Sequence, residues 1–85
     1  MDALRLDGNA AAAVLAEIFG RDVTDAVGTC DGCGASEPVG AVHLYRGAGI
    51  VLRCPYCEAV LLRVVATESR TWIDLRGLRS LEVHP

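Results

Sequence analysis

The apolar residues of this 85-residue chain follow two different spacings, and the first of them is that of a helix. Within residues 10–19 the apolar side chains fall on one helical face, with Ala11, Val14, Leu15 and Ile18. Asp7 or Asn9 can cap the start of this helix, and Gly20 can end it. We therefore predict one N-terminal helix that packs on the core, although the same face also suits a partner or a second copy of the chain.

Beyond residue 20 the pattern changes to short β-branched and leucine-rich runs separated by turn residues. Strands are predicted at residues 39–46, 50–53, 58–67 and 71–76, and a further short strand leads into residue 30. Residues 35–38 and 47–49 are predicted turns, and residues 78–83 are a final strand or a turn of helix. Residues 1–8, in which Leu4 and Leu6 alternate with polar residues, can add an edge strand. The pattern indicates an α+β fold, an antiparallel β-sheet with one N-terminal helix.

Four cysteines stand in two pairs, separated by twenty residues: Cys30, Cys33, Cys54 and Cys57. Two residues within each pair allow a tight turn that points both sulfurs at one ion. The spacer is long enough for a hairpin that returns the second pair to the first. The spacing predicts a tetrahedral metal site made by these four residues.

Zn²⁺ is the predicted cofactor, and two alternatives stay open. The first alternative is disulfide bonds between the cysteines, which need an oxidising compartment. The second is iron, which also accepts four sulfur ligands in tetrahedral geometry. His43 lies in a predicted strand and His84 lies next to the terminus, so neither is expected to bind the metal.

A site closed by four cysteines leaves no position for water or substrate, whereas catalytic zinc keeps one open. The chain also has no evident nucleophile–base set and no phosphate-binding glycine loop, since Gly47-Ala48-Gly49 is a hairpin turn. We therefore predict a structural metal site and a protein that is not an enzyme.

The length of the chain limits the number of domains and the size of the core, and its charge limits the possible partners. A chain of 85 residues is one small domain, here with residues 1–20 as the helix region and 21–85 as the ribbon sheet. A core of this size often needs a staple such as a metal ion. The formal charge is −3, and acidic proteins are poor general ligands for nucleic acid.

All eight basic residues are arginine, which suggests a high-GC bacterial genome, and they are spread unevenly. Residues 1–45 have a net charge of −5 and residues 46–85 a net charge of +2. The arginines of the second half either pair with nearby acids or form a basic face: Arg46, Arg53, Arg63, Arg70, Arg76 and Arg79.

No signal peptide follows Met1, and the apolar run Ala10 to Ala16 is too short to span a membrane. The predicted location is the cytoplasm, where thiols stay reduced.

The cysteine loops resemble the knuckles of rubredoxin and zinc ribbons, which read C-x-x-C-G and C-P-x-C-G. Residues 30–34 match the first form, and residues 54–57 match the second. Glu58 stands where those families usually have glycine, which bears on the backbone of the second knuckle rather than on its ligands.

The whole chain resembles the small, uncharacterised zinc-ribbon proteins of high-GC actinobacteria. The resemblance rests on Asp7-Gly8-Asn9-Ala10, the two cysteine pairs and Leu75-Arg76-Gly77. It implies a zinc-ribbon fold and a bound metal but no activity. The knuckles also resemble the zinc domain of nickel metallochaperones, yet that family has a histidine at the second position and this chain has Asp2.

These observations favour a zinc-ribbon module that binds another protein, for which Tyr45, Tyr56 and Trp72 are candidate contacts. The alternative is a nucleic-acid-binding ribbon in transcription or translation, in which the C-terminal arginines act with an aromatic residue that stacks on bases. A third hypothesis is electron transfer by iron at the cysteines. A homodimer through the N-terminal helix is also compatible with the sequence.

Overall fold

The computed structural model of the protein describes residues 5–47 and 49–84, and only the backbone of Arg5. Leu4 of the predicted edge strand and Ala48 of the predicted hairpin turn lie outside the described residues. Within them the chain forms one α-helix, two short 3₁₀ turns and eight strands. In chain order these are β1 (Arg5–Asp7), a 3₁₀ turn (Gly8–Ala11), α1 (Ala12–Phe19), β2 (Val27–Cys30), β3 (Ser36–Pro38), a 3₁₀ turn (Val39–Ala41), β4 (His43–Arg46), β5 (Ile50–Arg53), β6 (Val60–Ala66), β7 (Thr71–Asp74) and β8 (Leu78–Glu82).

The strands form two antiparallel sheets. The larger sheet has the order β1-β4-β5-β6-β7, and the smaller sheet has the order β3-β2-β8. The fold is therefore α+β, as the sequence pattern predicts. The chain passes between the two sheets through α1, the 3₁₀ turn Val39–Ala41 and residues 75–77, whereas each cysteine segment joins two strands of one sheet.

The N-terminal helix forms where the apolar spacing predicts it, but its first turn is 3₁₀. Asp7 caps that turn, because its carboxylate accepts from the backbone N–H of Asn9 at 3.1 Å. Gly20 ends α1 in the left-handed conformation, with φ of 75°. Among the described residues, no helix has both the length and the apolar character needed to cross a lipid bilayer.

The core lies between α1, one face of the larger sheet and the smaller sheet. Leu44, Leu52 and Leu62 stand opposite one another on three neighbouring strands, and all three are buried. Leu15 of α1 is buried in the same cluster. The apolar face of the helix therefore packs within the chain's own core.

The opposite side of the larger sheet has no helix packed on it in the described structure, and we call it the outer face. Tyr45, Val51 and Arg63 stand opposite one another there, one position along from the buried leucines. Val65 and Trp72 form the next pair on the same side. These five residues define the outer face.

The predicted turn at residues 35–38 is wrong, because Ser36–Pro38 is strand β3. It pairs with β2, with Thr29 opposite Ser36, and the two hydroxyl oxygens are 2.9 Å apart. Pro38 is tolerated because β3 is an edge strand and needs no outward N–H. The predicted strand 39–46 is also shorter than expected, since residues 39–41 form a 3₁₀ turn.

Candidate metal centre

Knuckle 1, at residues 30–35, carries the first pair of cysteines and begins at the end of β2. The N–H of Cys30 donates to the carbonyl of Ala35 at 2.8 Å, and the carbonyl of Cys30 accepts from the N–H of Gly34 at 2.9 Å. Gly34 has a φ of 80°, which glycine adopts without strain. The N–H of Gly32 points at the sulfur of Cys30 at 3.3 Å. The loop thus closes around its sulfurs.

Knuckle 2, at residues 54–59, repeats this geometry between β5 and β6. The N–H of Cys54 donates to Ala59 at 2.9 Å, and the carbonyl of Cys54 accepts from the N–H of Glu58 at 2.9 Å. Glu58 has a φ of 64°, so it takes the left-handed conformation in which knuckle 1 has glycine. The departure from the knuckle pattern at Glu58 therefore does not change the path of the backbone.

The two knuckles bring all four sulfurs together, within 4.8 Å of one another. The Sγ atoms of Cys30 and Cys57 are 3.6 Å apart, and those of Cys33 and Cys54 are also 3.6 Å apart. A tetrahedral ion with sulfur bonds of about 2.3 Å separates its ligands by about 3.8 Å. A disulfide would be about 2.05 Å long, and the four cysteines are free thiols. The spacing therefore fits one shared ion.

The cluster lies at the edge of the core. Cys30 and Cys54, the first cysteine of each knuckle, are buried, while Cys33 and Cys57 are exposed. Because Cys30 is the last residue of β2 in the smaller sheet and Cys54 directly follows β5 in the larger one, the sulfur cluster connects the two sheets.

Without an ion, the thiols do not all ionise easily. A hydrogen bond from the backbone of Cys33 lowers the pKa of the Cys30 thiol to about 7, against the effect of burial. At Cys57 the backbone of Ala59 favours the thiolate, but burial and the three neighbouring sulfurs outweigh it and raise the pKa to about 12. A divalent cation would favour the thiolate form of the cysteines that bind it, so metal binding at such a site releases protons.

Side chains of the larger sheet hold Glu58 in its left-handed conformation. One carboxylate oxygen lies 2.9 Å from Nδ1 of His43, and the other accepts from the hydroxyl of Tyr45 at 3.1 Å. The carbonyl of Glu58 accepts from Nη1 of Arg53 at 2.8 Å. The guanidinium carbon of Arg53 also lies 5.7 Å from the centre of the Tyr45 ring. Strands β4 and β5 thus fix the end of knuckle 2.

Two further contacts tie the knuckles to strand β3 and to the link between β7 and β8. The hydroxyl of Tyr56, in knuckle 2, donates to the carboxylate of Glu37 on β3, and this hydrogen bond raises the pKa of Tyr56. In knuckle 1 the N–H of Asp31 donates to the carbonyl of Gly77 at 2.9 Å. Each knuckle is therefore held by more than its sulfurs.

The two histidines lie apart from the sulfur cluster, in different surroundings. His43 contacts Glu58, and His84 is exposed near the C-terminus. Neither belongs to the group of residues that the structure brings within metal-binding distance.

The arginines of the second half do not share one face. Arg53 and Arg63 lie on the outer side of the larger sheet, whereas Nη2 of Arg46 donates to the carbonyl of Ala10 at 3.3 Å. Arg76 binds Asp74 through both carboxylate oxygens. This ion pair lowers the pKa of Asp74 to about 2.

The contacts of Glu37, His43 and Tyr45 around the knuckles were not predicted from the sequence. The glutamate in place of the second knuckle's glycine was a visible signal that something must hold position 58. Its partners are distant in sequence and become neighbours only through strand pairing, so they carry no local pattern.

Fold and site together define a small α+β domain with a four-cysteine cluster suited to a metal ion. The chain belongs to DUF6510, a family of unknown function, whose model matches residues 2–85. Comparison with curated proteins found no match, and comparison with solved structures found none either.

Proposed function

We propose that this protein is a zinc-binding ribbon module in which the ion has a structural role. The observation that carries the proposal is the convergence of four sulfurs, at tetrahedral spacing, from two loops of equivalent backbone geometry. Cys30, Cys33, Cys54 and Cys57 would hold the ion, which would fix the two sheets to one another. The relation to actinobacterial zinc ribbons, which rests on Asp7-Gly8-Asn9-Ala10, the two cysteine pairs and Leu75-Arg76-Gly77, belongs to the same proposal.

Metal analysis of natively purified protein, with an absorption spectrum of the same sample, tests the identity of the ion. We expect one zinc per chain and no visible colour. Iron with thiolate charge-transfer bands would contradict zinc and favour electron transfer. A protein that holds no metal after purification in the presence of a reductant would contradict the metal site itself.

The function that we infer for this module is binding another protein in the cytoplasm, without catalysis. The proposed ligand set uses only protein residues, so no ligand position remains for a substrate. The outer face instead offers a surface for recognition. Arg63 lies at its centre and lines two open clefts, of about 480 and 290 Å³, together with Val65. Trp72 borders one cleft and Tyr45 the other.

The charges of this face favour an acidic partner segment. Arg63 is exposed and stands opposite Asp74, whose carboxylate is already bound by Arg76. A partner carboxylate would meet the exposed guanidinium of Arg63 beside apolar side chains, an arrangement typical of interface anchors.

Affinity capture with matched charge variants tests the inferred role. Wild-type protein should capture a reproducible partner, and Arg63→Glu should lose it. Arg21→Glu is the control, because Arg21 is exposed just beyond α1, which packs on the opposite face of the sheet. Equal capture by Arg63→Glu and wild type would contradict the use of this face, and no reproducible partner would contradict the role.

A second candidate function is binding of single-stranded nucleic acid, because Arg63 and Trp72 share one sheet face. Base stacking on an aromatic residue beside a cation is the usual chemistry of such surfaces. Against this, the formal charge of −3 opposes binding to phosphate, and Arg53 lies over the Tyr45 ring. Titration with labelled single-stranded DNA and RNA at low salt distinguishes the two, since measurable affinity that falls with salt supports nucleic acid.

A further inference from the structure

Strand β7 is the last strand of the larger sheet, and its outer edge has no partner strand in the described structure. Its register pairs Val65 with Trp72 and Ala66 with Thr71 on β6. In the adjoining turn, the N–H of Thr67 donates to the carbonyl of Arg70 at 2.7 Å. Hydrogen-bonded pairs alternate along an antiparallel ladder, so the next hydrogen-bonded pair after Thr67 and Arg70 is Val65 and Trp72. The backbone N–H and C=O of Trp72 therefore point towards β6. The N–H and C=O groups of Thr71 and Ile73 therefore point outwards.

This edge is short, but it has no proline, and the charge of Asp74, at its end, is already bound by Arg76. Trp72 is 53% exposed, Ile73 40% and Leu75 42%. The pairing of β6 with β7 contains no bulge. By contrast, the edge strand β3 has only three residues and ends in Pro38. An open edge with consecutive apolar side chains is a template for another strand.

We propose that a second copy of the chain pairs with this edge, with β7 antiparallel to β7 about a twofold axis at Trp72. Side chains opposite one another in an antiparallel pair lie on the same face of the sheet. Pairing centred on Trp72 meets this condition and places Trp72 opposite Trp72 of the partner copy. Thr71 then lies opposite Ile73 of the partner copy, which joins their outward N–H and C=O groups.

Charge complementarity favours this register over others. It also favours a second copy of the chain as the strand that pairs with β7. Arg70 comes opposite Asp74 of the partner copy, and the twofold axis repeats the pair with the roles exchanged. Pairing centred on Ile73 would instead place the carboxylate of Asp74 opposite Trp72. Asp74 already accepts from Arg76, yet its side chain remains 36% exposed and can accept from a further guanidinium.

The expected dimer is weak. Pairing of one four-residue strand, with its flanking side chains, buries less than the roughly 1,200 Å² typical of stable complexes. We therefore expect dissociation in the range of about 1–100 µM, with one continuous sheet running through both copies. The dimer does not depend on the proposed interaction role, since it uses the edge of the sheet and leaves the sulfur cluster unchanged.

Sedimentation equilibrium of the metal-loaded full-length chain, with two charge variants, tests the proposal. Wild type should shift from monomer to dimer as its concentration rises. Arg70→Asp and Asp74→Arg should each remain monomeric about tenfold above the wild-type dissociation constant, because like charges then face each other. Their equimolar mixture should dimerise again, since each variant then supplies the charge that the other lacks.

The control Arg21→Asp changes the same charge far from β7 and should dimerise like wild type. Circular dichroism of each variant checks that it is folded. A wild-type monomer up to about 1 mM would overturn the proposal and leave the edge for a strand of another protein. Dimerisation that the two variants do not weaken, or a mixture of folded variants that stays monomeric, would overturn the β7 register.

Discussion

Glu58 has a backbone conformation that is unusual for its residue type, and the structure explains how it persists. A non-glycine residue in the left-handed region costs about 1 kcal/mol or more. Here the hydrogen bonds of Glu58 with His43, Tyr45 and Arg53 offset that cost. The side chain that replaces glycine therefore links knuckle 2 to strands β4 and β5.

Two substitutions of Glu58 separate the energetic cost of backbone strain from the stabilisation by side-chain contacts. Glu58→Ala loses the contacts with His43 and Tyr45 but keeps the strain, so we expect it to lower the free energy of unfolding by about 1–2 kcal/mol. Glu58→Gly loses the same contacts but removes the strain, and should be about 1 kcal/mol more stable than the alanine variant. Urea denaturation of the metal-loaded protein measures both.

Glu68→Ala is the control for loss of an exposed carboxylate, because Glu68 lies in the turn between β6 and β7. It should change stability by less than about 0.5 kcal/mol. Equal stability of the alanine and glycine variants at position 58 would show that the left-handed conformation carries no strain.

At the scale of secondary structure, the link from β7 to β8 crosses close over β6 at Gly77. A Cβ atom at this position would overlap the carbonyl oxygen of Val60 and contact the backbone of Leu61. Gly77 also accepts from the N–H of Asp31 in knuckle 1. Glycine is required here by close approach of two backbones, although its φ lies outside the left-handed region.

We therefore expect Gly77→Ala to destabilise the protein by about 2–4 kcal/mol, because the overlapping atoms are backbone and cannot move aside cheaply. Gly47→Ala is the matched control, since a Cβ there meets no atom within 4 Å. Thermal unfolding of both variants provides the measurement. A Gly77→Ala protein as stable as the Gly47→Ala protein would contradict the close approach.

The sequence predicts those elements whose signal is local. Residues 50–53 form a strand with the predicted bounds, because an apolar run lies between a glycine turn and a cysteine. Strand β3 was missed because Ser36–Pro38 has no apolar alternation, and it exists only through pairing with β2. Cysteine spacing likewise identified four sulfurs that the structure brings together, whereas the hydrogen bonds around Glu58 depend on strand register.

At the scale of the whole molecule, the proposed ion would bridge two sheets that share a small core. Knuckle 1 belongs to the smaller sheet and knuckle 2 to the larger one. Structural zinc contributes on the order of 10 kcal/mol of apparent binding energy that is coupled to folding. This is comparable to the whole stability of a typical domain, about 5–15 kcal/mol. Both sheets should therefore depend on the ion.

We predict that a strong chelator, added with a reductant, unfolds both sheets in one transition at room temperature. Hydrogen exchange measures this directly, because amides of β2 and β5 should lose protection together although they belong to different sheets. Added zinc should restore both. Cys33→Ser and Cys57→Ser, which remove one exposed ligand from each knuckle, should weaken protection in both sheets alike. Loss confined to the sheet of the altered knuckle would contradict the bridging role, because each sheet would then be stable without the other.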